Sequence, residues 1–142
     1  MASSGDNPLN TIPRLVAHHA RVRPDAPAFR EKEFGIWQSW TWRKSADEID
    51  SLALGFLSLG LGDGDHIAII GRNRPYLYWA MVAAQSVGAI PVPLYQDSVA
   101  EEMAYVIDHC SARFIVAQDQ EQVDKIIEVK DKLPGVEQII FL

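Results

Sequence analysis

The chain is poor in cysteine, in histidine and in clustered positive charge. Cys110 is the only cysteine among 142 residues, which excludes an intrachain disulfide and a thiolate metal cluster. Thirteen Lys and Arg stand against nineteen Asp and Glu, for a net charge of −6, and the two signs are interspersed. A nucleic-acid partner is therefore not expected, because phosphate recognition needs a basic face. The start, "MASSGDNPLN", lacks the basic region and apolar core of a secretory signal. No apolar run reaches the roughly 18 residues needed to span a bilayer. Gln85, Ser86, Gly88, Pro91 and Pro93 interrupt the best candidate. The expected setting is the reducing cytoplasm.

What is present is apolar material in regular order. Hydrophobic residues make up 48% of the chain, enough to fill the core of one domain. Residues 1–9 read as a loose end. Ile12, Leu15, Val16, His19 and Val22 keep helical spacing, so a first helix with a face to bury is expected before "RPDAP". "AFREKEFGIWQSW" reads as a hairpin turning at Phe34-Gly35, and Thr41 can cap the helix that follows. That helix carries a stripe of Trp42, Ala46, Ile49, Ala53 and Phe56 and ends in "LGLGDGD". Residues 10–65 thus form a helix, a hairpin and a helix.

From residue 66 to residue 142 the pattern is periodic. Strand-like runs start near His66, Ala89, Arg113 and Val136, spaced by 23, 24 and 23 residues, with helical patterns between them. Alternation of this kind predicts βαβ crossovers and a parallel sheet, an α/β fold. Pro75 suits a first helical position. Ser98 with Glu101, and Asp119 with Gln122, read as capping boxes, and Lys130 and Lys132 fall late in the last helix. Pro91 and Pro93 lie two apart in "IPVPLY", so their missing donors face the same side and predict an edge or irregular pairing there.

The chemistry is sparse. "GRNRP" after the first periodic strand has one glycine where a dinucleotide loop needs G-x-G-x-x-G, and a Walker loop occurs nowhere. Arg72 and Arg74 could hold a phosphate, but arginines at a strand end are more often solvated, and the turn at Gly71 reads as a joint. His18 and His19 are adjacent on a helix and make a poor metal pair, while His66 and His109 have no partner at ligand spacing. Cys110 falls on an apolar stripe with Met103, Val106 and Ile107, as a buried inert thiol would. Trp37, Trp40, Trp42 and Trp79 suit core and hairpin packing better than a ligand box. No catalytic set emerges from these residues.

One stretch nevertheless has a known pattern: Thr41-Trp42, the glycines of Gly60 to Gly64, Asp65, Ile67 to Ile69, Trp79, Gly88-Ala89 and Pro91 to Leu94. This order resembles the start of the AMP-forming acyl-CoA synthetases, the adenylate-forming superfamily, with His66 replacing the usual Arg. The ending "AQDQEQVDKIIEVKDKLPGVEQIIFL" is most similar to the long-chain fatty-acid branch. The resemblance spans residues 10–142. It implies the amino-terminal part of a longer fatty-acid–CoA ligase, ending inside its first α/β subdomain and inactive alone. That parent would use ATP, magnesium and coenzyme A to pass a fatty acid through an acyl-adenylate to a thioester. The phosphate loop and catalytic lysine of the family would lie later in the chain.

By the same resemblance Tyr95, Gln96 and Asp97 face coenzyme A, as contacts and not catalysts; the alternative is that Asp97 and Ser98 only start a helix. The expected partners are the rest of the parent enzyme, its fatty acid and the periphery of a membrane. Self-association is expected where an open strand edge is uncovered. Two other readings remain open: an adenylation domain for amino or aryl acids, and a non-enzymatic flavodoxin-like interaction domain.

Overall fold

The computed structural model describes residues 8–142, so the loose end expected for residues 1–9 falls mostly outside the described residues. Helix α1 (Ile12–Val22) starts where Thr11 accepts the Arg14 N–H on its hydroxyl. Strands β1 (Pro27–Glu33) and β2 (Ile36–Thr41) then form an antiparallel hairpin. Its turn is Phe34-Gly35, at φ of 47° and 80°. Thr41 caps α2 (Trp42–Ser58), accepting the Lys44 N–H at 3.2 Å.

The periodic half forms as its spacing predicts. Strand β3 (His66–Ile70), helix α3 (Pro75–Ser86), β4 (Ile90–Leu94), α4 (Ala100–His109), β5 (Phe114–Ala117), α5 (Gln120–Glu128) and β6 (Gln138–Phe141) alternate along the chain. The four strands make one parallel sheet in the order β4-β3-β5-β6. Alternation of side chains divides the core between its faces. Ile67, Ile69, Phe114 and Val116 pack against α2 and α3, through Ile49, Phe56 and Trp79. Ala68, Ile70 and Ile115 pack against α4 and α5, through Met103, Ile107 and Ile126. Trp79 is fully buried, with Phe29, Trp40 and Tyr76 edge-on around it at centroid distances of 6.0, 5.8 and 4.9 Å. Among the described residues no helix is long and apolar enough to cross a membrane.

Strand β4 is an edge strand, paired only to β3. Ile90 N–H donates to Asp65 O at 2.8 Å, so by the period of two Val92 and Leu94 also donate inward. Pro91 and Pro93 then stand on the outer side, where a missing donor costs no ladder bond, as their spacing predicts.

Several local expectations fail for tertiary reasons. The α1 face does not bury: no α1 residue is fully buried and Ile12, Leu15 and Val22 stay exposed, because α2 and α3 already cover the sheet and only Val16 reaches the core cluster. The Ser98–Glu101 capping box does not form. Val99 is the N-cap of α4 without a side-chain bond, and Glu101 instead binds Lys132 at 2.5 and 2.7 Å. Asp119 does cap α5, accepting Gln122 N–H at 3.1 Å, but Gln122 turns into the core with Oε1 unpartnered, leaving half a box. Lys130 and Lys132 lie in a separate 3-10 turn after α5 rather than in the helix.

Candidate functional site

In an open α/β sheet, ligands settle beyond the carboxyl ends of strands whose connections leave in opposite directions. Here those strands are β3, which leads outward to β4, and β5, which leads the other way to β6. Gly71 follows β3 and Gln118 follows β5. Gln118 Oε1 accepts the Arg72 N–H at 2.6 Å, and its own N–H donates to Ile70 O at 3.0 Å. The amide that could have met a phosphate is therefore taken by a side chain of the same chain. Arg74 is also engaged, a departure from the solvated arginine expected: it binds Glu31 at 3.0 Å and Glu33 at 3.3 Å, tying the hairpin to the start of α3. The turn at Gly71 is a joint with a fitted cover.

The second carboxyl-end feature is the turn after β4. Tyr95, Gln96 and Asp97 do share one turn, closed by Ser98 N–H donating to Tyr95 O at 3.1 Å. Asp97 hydrogen-bonds the Tyr95 phenol and holds its pKa above the usual tyrosine value. The Gln96 carbonyl accepts Lys125 Nζ at 2.9 Å, and the same ammonium pairs with Glu121 at 3.0 Å. Tyr95 itself is exposed, above a groove lined by Pro93, Leu94, Met103, Tyr105 and Val106. With its ammonium spoken for and Asp97 negative, this turn suits an apolar or aromatic portion of a ligand and repels a phosphate.

The other candidates resolve into structure. His18 and His19 meet edge to face at 5.3 Å. His19 accepts Arg23 Nε at 3.1 Å and leans on Trp42, and desolvation, then Arg23, lowers its pKa. Cys110 is only partly buried, less than its apolar stripe predicts, because it caps the end of α4; burial raises its thiol pKa. Trp40 and Trp79 are packed as expected, whereas Trp37 is exposed. No group of three His, Cys, Asp or Glu among the described residues could hold a metal ion.

Two features were invisible in the sequence. The first is the Gln118 cover. The second is a clip at the opposite, amino end of the sheet: Arg113 donates to Asp65 Oδ2 at 2.6 Å and to both Glu137 oxygens at 2.9 and 2.8 Å. Neither has a local signal, because the partners are 46, 48 and 24 residues apart.

Strand order and strand-end geometry say where a ligand could lie, and comparison with known proteins shows the family. Residues 16–142 match the family described as AMP-binding enzyme. The chain belongs to that family. Long-chain-fatty-acid–CoA ligase FadD15 of Mycobacterium bovis is 28% identical over 133 residues, covering 92% of this chain and 22% of that one. Long-chain-fatty-acid–CoA ligase ACSBG2 of Xenopus laevis is 31% identical, covering 94% of this chain and 18% of that one. The chain thus spans about a fifth of the length of these relatives. A solved fatty acyl CoA synthetase of Mycobacterium tuberculosis superposes with a TM-score of 0.86 over 96% of the chain and 27% of its own, at 18% identity, which shows the shared fold.

Proposed function

We propose that this chain is the amino-terminal α/β layer of an enzyme that joins a long-chain fatty acid to coenzyme A through an acyl-adenylate. The observation that carries the reading is the family match over residues 16–142. It is supported by fatty-acid ligases that match over 92% and 94% of the chain but only about a fifth of their own length. In this reading ATP and magnesium are held by residues outside this chain. The chain's own contribution is scaffold: a sheet whose switch point is closed by Gln118, and a β4 turn beside the groove.

Tyr95, Gln96 and Asp97 would then touch a non-phosphate part of coenzyme A, consistent with the exposed Tyr95 ring and the Asp97 charge. They contact the ligand and carry no bond-making step.

The test has two parts. The 142-residue chain with ATP, magnesium and a fatty acid should release no pyrophosphate above blank, whereas the longer enzyme carrying this segment should; turnover by the chain alone would refute the scaffold reading. In the longer enzyme, Gln96→Ala with Asp97→Ala should raise the KM for coenzyme A and leave adenylate formation and melting temperature unchanged. Lower stability with unmoved coenzyme A kinetics would reduce the turn to a helix lead-in.

A further inference from the structure

The hairpin ends in a group of apolar side chains that the fold does not use. Phe34 is 96% exposed, Ile36 64% and Trp37 66%. The inner hairpin face is satisfied without Phe34 and Trp37: Phe29 and Trp40 pack on the core cluster, Glu31 and Glu33 are both bound by Arg74, and Ile36 stands opposite Glu33. The register pairs Lys32 with Trp37 and Arg30 with Ser39, which places Arg30, Lys32 and Trp37 on the outer face. Neither Arg30 nor Lys32 makes a hydrogen bond or ion pair with a described residue, so the outer face is cationic in a chain of net charge −6.

The turn itself adds a second, independent observation. Phe34 sits at φ 47°, with Gly35 at 80°. A two-residue turn with both central φ values positive takes Asn or Gly at its first position, and a bulky aromatic there is disfavoured. Folding alone would select against Phe34, and strain that persists where local structure gains nothing from it points to use by something outside the fold.

We propose that the Phe34–Trp37 hairpin tip is a membrane-docking element, with Phe34 and Trp37 entering the headgroup–acyl boundary and Arg30 and Lys32 meeting anionic headgroups. Aromatic rings beside cations suit that boundary, where one end of the site is apolar and the other wet. Docking of this kind is independent of the ligase reaction and delivers any catalytic partner to a lipid surface.

The test uses the full chain and vesicles of phosphatidylcholine with and without phosphatidylglycerol, read by co-sedimentation. The chain should bind the anionic vesicles more tightly, and salt should weaken that binding. Phe34→Asn relieves the turn and removes the anchor together, so melting temperature should rise while vesicle partitioning falls about tenfold. Arg30→Gln with Lys32→Gln should lower binding to anionic vesicles about fivefold per charge and leave binding to neutral ones unchanged. The proposal is overturned if the chain ignores anionic vesicles, if Phe34→Asn binds them undiminished, or if the charge variants bind both vesicle types as the parent chain does. Loss of self-association in Phe34→Asn, with no vesicle binding by the parent chain, would assign the tip to a contact between copies and equally overturn it.

Discussion

Gln118 lies across Gly71 so closely that a Cβ on residue 71 would stand 2.6 Å from Gln118 Cβ and 2.5 Å from its Oε1. The glycine is required here for space and not for a positive φ. Gly71→Ala should therefore destabilise the chain by about 1–3 kcal/mol through overpacking, because the near atom belongs to the root of the side chain and cannot swing away. Gln118→Ala should be milder, about 1 kcal/mol, since it frees an exposed amide to water. Gln118→Ala keeps the Cβ that blocks residue 71, so Gly71→Ala with Gln118→Gly is the double variant expected to be more stable than the sum of its two singles, and urea unfolding of that four-protein cycle measures the coupling. Strict additivity would show that the two residues do not oppose each other.

Thr41, Asp119 and Ser98 look alike in sequence, each before a helix, but only the first two accept a backbone N–H. Thr41→Ala and Asp119→Ala should each lower stability by about 1 kcal/mol, and Ser98→Ala should change it by less than about 0.5 kcal/mol. Thermal unfolding of the three variants separates them. An equal loss at Ser98 would restore the capping box that the fold lacks.

The Arg113 clip should show in acid. The Arg113 hydrogen bond, then the Gly62 N–H, hold the Asp65 carboxyl below its usual pKa, and Arg113 does the same to Glu137. Both carboxylates are depressed in the folded state, so their stabilisation is present above the ordinary carboxylate range and is lost as pH falls through the folded values. Asp65→Asn should flatten the acid limb of the stability–pH curve while leaving its neutral and alkaline limb parallel to the parent's. Urea midpoints taken from neutral pH downward check this, and an unchanged acid slope would mean that the part-buried Arg113–Asp65 pair contributes nothing to stability.

The two sheet edges should behave differently. Leu142 N–H donates inward to Ala117 O, which leaves the Phe141 N–H on the outer side of β6, with its side chain 60% exposed. The β4 edge has prolines at the equivalent outward positions. Concentration-dependent association is therefore expected through β6, and Phe141→Pro should suppress it in sedimentation velocity with little change in melting temperature. Association that persists in that variant would place the contact elsewhere.

The order of elements was legible in the sequence because it is written in local terms. Strands at His66, Ile90, Phe114 and Gln138 begin within two residues of the expected starts, and the Phe34-Gly35 turn, Thr41 cap and Pro75 start are where turn and cap chemistry places them. Periods of two and of 3.6 act over one element, so a single chain displays them without knowledge of its neighbours. The family was legible for the same reason: its motifs span adjacent turns.

Tertiary structure alone decided which polar side chains meet. Glu101 had two partners open to it, a backbone amide three residues away and Lys132 thirty-one residues away, and the packing of α4 beside the 3-10 turn settled it. The cover of Gly71 by Gln118, the capture of Arg74 by the hairpin and the Arg113 clip are all of this kind. Such contacts depend on the angle at which whole elements pack, which no local period encodes. Burial follows the same rule: α1 and α2 both carry apolar stripes, but a sheet face holds only so many helices, and α2 and α3 had filled it.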